Sequence, residues 1–192
     1  IEDLTGGSGA DAISLSDGGQ TLSVTGIETL AGGDGNDVVA ATSGFTMAVS
    51  QIETLTGGAS VDVVTGTGTA GSTIAIAAVE SVTGGSGNDV LVLDAGGQTI
   101  SVAAVEAVTG GSGNDVVSIA TSGGTIAVSA VETLLGGAGF DRIVLGGSGQ
   151  TLAISGAEVV LGSAGTDLVQ LNAASTLAVS AVESIQGSSG TD

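Results

Sequence analysis

The stretch Gly110-Gly111-Ser112-Gly113-Asn114-Asp115, entered from Val105-Glu106-Ala107-Val108 and left through Val116-Val117-Ser118-Ile119, decides the fold because the chain keeps repeating it. Counted from the apolar residue before each glutamate, copies begin at Ile1, Ile27, Ile52, Val79, Val105, Val131, Ala157 and Val182, at intervals of 25 to 27 residues. A period of this size marks a stacked architecture, in which each unit buries its apolar face against the next.

Each repeat holds three short apolar runs. In the copy starting at Val79 they are Val79–Val82, Val90–Leu93 and Thr99–Val102, parted by Gly84-Gly85-Ser86-Gly87-Asn88-Asp89 and by Asp94-Ala95-Gly96-Gly97-Gln98. Runs of β-formers bounded by glycine clusters read as strands, and no segment has helical spacing. The expected fold is an all-β parallel β-solenoid, β-roll or β-helix-like. It has about 26 residues and three short strands per coil, with seven full coils and a partial one. Residues 1–192 read as one segment of a longer repeat protein, since the chain opens and stops inside the repeat. Alternation points Leu22/Val24, Val39/Ala41, Met47/Val49 and their equivalents inward. Ile27 and Leu30 are three apart, so a bend is expected in the first strand. Outward, Thr21, Thr46, Thr73, Thr99, Thr125, Thr151 and Thr176 would form one unbroken threonine ladder on a flat, uncharged face.

Composition narrows the functions. Hydrophobic residues make up 42% of the chain but aromatics only 1%, so the core must be built from Val, Ile and Leu ladders. One Lys or Arg against 20 Asp and Glu gives a net charge of −19, which excludes nucleic acid as a partner, because phosphate binding needs cationic side chains. No stretch reaches the roughly 20 apolar residues of a membrane helix, so no membrane insertion is expected.

Of the 20 acidic residues, 16 fall into two columns. One is Glu2, Glu28, Glu53, Glu80, Glu106, Glu132, Glu158 and Glu183; the other is Asp11, Asp37, Asp62, Asp89, Asp115, Asp141, Asp167 and Asp192. With one repeat per coil, copies would stand one strand spacing apart, and like charges at about 5 Å repel by roughly 3 kcal/mol at an effective dielectric near 20. Counter-ions would relieve this. Carboxylates with turn carbonyls, and no His or Cys, make an oxygen-only shell that suits Ca²⁺. The competing reading is a tight turn in which each Asp bonds its own backbone.

Gly-Gly-x-Gly-x-Asp followed by x-apolar-x resembles the nonapeptide of the RTX (haemolysin-type) calcium-binding repeats of secreted bacterial adhesins and surface-layer proteins. The motif is intact at 6–11, 32–37, 84–89, 110–115 and 136–141. The resemblance implies a calcium between vertically adjacent turns. Its ligands would be Asp11, Asp37, Asp89, Asp115 and Asp141 with carbonyls of Gly7, Gly9, Gly33, Gly35, Gly85, Gly87, Gly111, Gly113, Gly137 and Gly139. One such turn per coil would line a single edge with calcium. Asp62, Asp167 and Asp192 end departing copies (GGASVD, GSAGTD, GSSGTD) and have a weaker claim, as have Glu28, Glu80, Glu106 and Glu132, whose column reads first as a solvated face. The resemblance also implies secretion from a Gram-negative-type bacterium.

The function read from all this is a calcium-stabilised extracellular structural module of a surface layer, filament, matrix fibre or adhesin stalk, self-associating laterally or end to end. The alternatives are an ice- or glycan-binding face, and the secreted repeat region of a larger toxin or enzyme. No enzyme is expected: every rung carries the same acidic pair, and a catalytic site should break the repeat. Arg142, next to Asp141, reads as that residue's charge partner.

Overall fold

The structure, a computed structural model, describes residues 2–120 and 123–191. Ile1 and the candidate ligand Asp192 lie outside the described residues. The chain divides into two compact units, Ile1–Val92 and Leu93–Asp192. Among the described residues there is no helix.

The first unit holds β1 (Glu2–Thr5), β2 (Ala12–Ser14), β3 (Thr21–Thr25), β4 (Thr29–Ala31), β5 (Val38–Ala41), β6 (Thr46–Ser50), β7 (Thr54–Thr56), β8 (Val63–Gly66), β9 (Thr73–Ala77) and β10 (Ser81–Thr83). The chain passes from one unit to the other within β11 (Val90–Leu93). The second unit holds β12 (Thr99–Ala103), β13 (Ala107–Thr109), β14 (Val116–Ile119), β15 (Gly124–Ser129), β16 (Thr133–Leu135), β17 (Asp141–Leu145), β18 (Thr151–Ser155), β19 (Val159–Leu161), β20 (Leu168–Leu171), β21 (Ala178–Ser180) and β22 (Ser184–Gln186).

Strands alternate between two parallel sheets. In the first unit their orders are β1-β3-β5-β7-β9 and β2-β4-β6-β8-β10, and in the second β13-β15-β17-β19-β21 and β12-β14-β16-β18-β20-β22. Each strand therefore pairs with the next but one: Val39 lies beside Leu22 on one side and Leu55 on the other, and Val117 beside Ile100 and Leu134.

This corrects the expected coil. The fold is an all-β parallel β-solenoid, but a coil takes two strands and about 17 residues rather than three strands and about 26, and the strands make about eleven coils rather than seven. The sequence repeat still has three strands, so it winds through one and a half coils. The first strands of successive copies, β4, β7 and β10, accordingly fall on alternate sheets. The threonine ladder dissolves for the same reason. Thr21 stands beside Val38, Thr46 beside Val63, Thr99 beside Val116 and Thr151 beside Leu168.

Alternation sets the core as expected. Leu22, Val24, Val39, Met47, Val49, Ile100, Val102, Ile143 and Ile154 are buried, while Ile13, Leu15, Leu177 and Val179 are half-buried. Burying such a side chain stabilises by about 1.5–3 kcal/mol, so a core without aromatics suffices when the ladder is long. The expected bend lies just before the first strand. Gln51, Ala78, Ala104, Ala130 and Ala181 take left-handed φ of 48 to 53°, and Gly26 and Gly156 take 62 and 68°. This reversal tucks the following Ile27, Ile52, Val79, Val105 or Val131 into the core. It is held despite a cost of about 1–2 kcal/mol at each non-glycine residue.

Candidate metal-binding turns

The turn 110–115 shows how the acidic motif is built. It connects β13 in one sheet to β14 in the other. Gly113 has φ 120°, which closes the turn, and a Cβ at Gly110 would stand 1.6 Å from the carbonyl oxygen of Ala130 in the next coil. A Cβ at Gly111 would lie 2.0 Å from the carbonyl oxygen of Asp94 in the preceding coil. The two leading glycines thus let three layers of backbone approach at contact distance.

Asp115 is fully buried and ties those layers together. Its Oδ1 accepts the Gln98 N–H at 2.8 Å from the preceding coil, and its Oδ2 accepts the Gly111 N–H at 2.9 Å within its own turn. Its own N–H donates to Glu132 Oε2 of the next coil at 2.8 Å. Its carbonyl accepts the N–H groups of Glu132 and Thr133 at 3.2 and 3.0 Å.

The same clamp recurs. Asp37 accepts from Gln20 and Gly33 and donates to Glu53; Asp62 accepts from Phe45 and Gly58 and donates to Glu80. Asp167 accepts from Gln150 and Ser163 and donates to Glu183. At Asp11 the Gly7 and Glu28 bonds are present, and at Asp89 the amide and hydroxyl of Ser72 are the donors. These are charge-assisted bonds, donated by amides and, at Asp89, by the Ser72 hydroxyl as well.

The departing copy 162–167 keeps its clamp by other means. Ser163 replaces the second glycine, and its hydroxyl adds a 3.1 Å bond to Asp167 Oδ2. Burial alone would raise the pKa of Asp167, but the amides of Gln150 and Ser163 and the Ser163 hydroxyl together hold it below the ordinary 3.8. In 57–62 a serine stands at the fourth position and Val61 is left 69% exposed.

Asp141 breaks the pattern. It is fully buried, yet neither carboxylate oxygen closes a hydrogen bond. Burial raises its pKa; the nearby amide of Gly137 opposes this, the Glu158 carboxylate adds to it, and the Gly124 amide opposes it. Gly124, the counterpart of Gln98, donates instead to the Phe140 carbonyl at 3.0 Å. Asp141 N–H still reaches Glu158 Oε2 at 2.7 Å. Arg142 is not its partner. As neighbours on β17 the two residues face opposite ways, Asp141 into the core and Arg142 half-exposed in the row of Thr125 and Val159.

The winding also corrects the expected metal geometry. Because successive copies cross between the sheets in opposite senses, the turns ending in Asp11 and Asp62 share one edge of the first unit and those ending in Asp37 and Asp89 the other. In the second unit Asp115 and Asp167 share an edge and Asp141 lies opposite. Copies on one edge are three coils, about 14 Å, apart. No single calcium-lined edge forms, no two such turns are vertical neighbours, and the repulsion expected within the Asp column does not arise. Asp11, Asp37, Asp62, Asp115, Asp141 and Asp167 instead each meet the glutamate one coil on, which accepts the aspartate's own N–H. The sequence carries one signal of this role of the Glu column, the spacing of 17 residues from Asp11 to Glu28 and from Asp115 to Glu132, which becomes one coil only once the strand pairing is known.

Among the described residues no three His, Cys, Asp or Glu side chains gather into a metal-holding group. The donor set nevertheless fits calcium in kind, being oxygen alone. A carboxylate oxygen accepting one N–H keeps further acceptor capacity. At Asp141 two orphaned, buried oxygens call for a positive partner.

The family model of the RTX calcium-binding nonapeptide repeat matches in four copies over residues 24–44, 80–97 and 127–149, which hold the turns ending in Asp37, Asp89 and Asp141. No curated protein and no solved structure gives a significant match. Those three segments thus match the RTX nonapeptide repeat, a repeat that binds calcium ions, and they lie in a parallel β-solenoid.

Proposed function

We propose that this chain is an extracellular structural module, a calcium-stabilised piece of a surface layer, filament, matrix fibre or adhesin stalk within a longer repeat protein. The observation that carries this reading is the nonapeptide repeat itself, set in a solenoid whose acidic pairs recur from copy to copy. Calcium would be held by aspartates of the nonapeptide turns, with turn carbonyls completing an oxygen shell. The bound ion would supply positive charge to a chain of net charge −19 and cross-link neighbouring coils. A catalytic role has little support, since the polar residues near each turn serve backbone amides.

Outward residues on the sheets are mostly uncharged. Ser23, Ala40 and Thr56 form one such row, and Ser101, Ser118 and Leu135 another. Faces of this kind support lateral self-association, with the carboxylates kept to the edges. The test is a calcium titration of the full chain followed by circular dichroism and thermal melting, with a chelator control. A rise in melting temperature that saturates with calcium and is reversed by chelator supports the reading. Identical melting in calcium and in chelator sinks it.

A further inference from the structure

We infer that calcium uptake is not shared evenly among the turns but is strongest at the turn 136–141, where Asp141 and the adjacent Glu158 form the cation site, while the turns ending in Asp37, Asp62, Asp115 and Asp167 are closed by amides. This rests on the calcium reading above and narrows it. In the turns ending in Asp37, Asp62, Asp115 and Asp167, two N–H groups fill the positions around the carboxylate that a cation would otherwise neutralise. Their charge is already stabilised by amides, so a cation gains less there. Asp141 is as deeply buried, yet neither of its oxygens closes a hydrogen bond, the Gly137 and Gly124 amides acting on it only as nearby dipoles.

The cause lies in the sequence one coil earlier. Where the other copies place Gly19-Gln20, Gly44-Phe45, Gly71-Ser72, Gly97-Gln98 and Gly149-Gln150, this copy has Gly123-Gly124. Here β15 starts at Gly124, which pairs with Asp141 across the sheet, and the Gly124 amide goes to the Phe140 carbonyl instead of the carboxylate. Leaving a charged group buried and unsatisfied is costly, and a divalent cation held between the Asp141 and Glu158 carboxylates removes that cost. The Glu158 chain is held beside this turn by its bond from the Asp141 amide.

The experiment compares wild type, Asp141→Asn and Asp115→Asn as full chains, titrated with calcium chloride by calorimetry and melted with calcium or with chelator. One dominant site per chain is expected in the wild type. Asp141→Asn should abolish the calcium-dependent rise in melting temperature and raise the melting temperature in chelator by a few degrees. Asp115→Asn should lower melting in chelator and leave the calcium-dependent rise intact. Should Asp115→Asn fail to fold, Asp11→Asn, whose aspartate is only half-buried, takes its place. An Asp141→Asn protein that keeps the full calcium response overturns the inference. If each variant loses a similar small part of the response, the calcium reading stands and selectivity falls. No calcium binding by the wild type removes both.

Discussion

At Asp167 the balance of forces on a turn carboxylate is explicit. Burial pushes its pKa up, but the amides of Gln150 and Ser163 and the Ser163 hydroxyl favour the charged form more, and the net shift is downward from 3.8. A carboxylate whose folded pKa lies below its unfolded value stabilises the fold above the unfolded pKa and loses that contribution as pH falls through the folded one. Asp167→Asn is therefore expected to melt below wild type at pH 7, with the gap narrowing as pH drops below about 4. Melting curves across pH 2 to 7 would check this, and a gap that stays constant to the lowest pH would contradict it. The acidity of the column was legible in the sequence. Its hydrogen-bond partners were not, because Gln150 and Glu183 meet Asp167 only through neighbouring coils.

Between elements, the tightest joint is the approach of each turn to the left-handed residue of the next coil. A Cβ would come within 1.8 Å of a carbonyl oxygen at Gly6, Gly32, Gly57, Gly110, Gly136 and Gly162, the first position of the motif every time. The obstacle is backbone, so no rotamer relieves it. Gly110→Ala is expected to lower stability by about 3 kcal/mol, the scale of the most damaging single substitutions, in chemical denaturation. Ser112→Ala in the same turn, which removes only a bond to the Ala95 carbonyl at an exposed site, should cost far less. Equal losses would show that the close approach is not what the glycine preserves. The strands, their alternation and their inward residues could be read from single runs such as Thr99–Val102, because period-two patterning is local. The left-handed Ala130 could not, since alanine carries no mark of positive φ and the fold imposes it.

The winding of the molecule governs where identical motifs end up. Three strands per repeat on a two-strand coil send Asn114 and Phe140, equivalent in sequence, to opposite edges of the second unit, while Ala95 and Ser112 are in adjacent turns on one edge. A disulfide is therefore expected to form on oxidation of Ala95→Cys/Ser112→Cys but not of Asn114→Cys/Phe140→Cys, read by non-reducing mass spectrometry of proteolytic fragments. One repeat per coil would give the reverse.

By itself the sequence determined that the chain is a parallel β-solenoid of short strands, that its core is Val, Ile and Leu, and that its acidic residues gather at the turns. All of these follow from patterns within one 26-residue repeat. Only the tertiary structure decided how many strands make a coil. That number depends on which strands pair, a contact between residues about 17 apart that no single repeat contains. With it came the alternation of turns between edges, the pairing of turn aspartates such as Asp115 with the Glu one coil on, and the exception at Asp141, where an amide that serves the carboxylate elsewhere turns to a carbonyl instead.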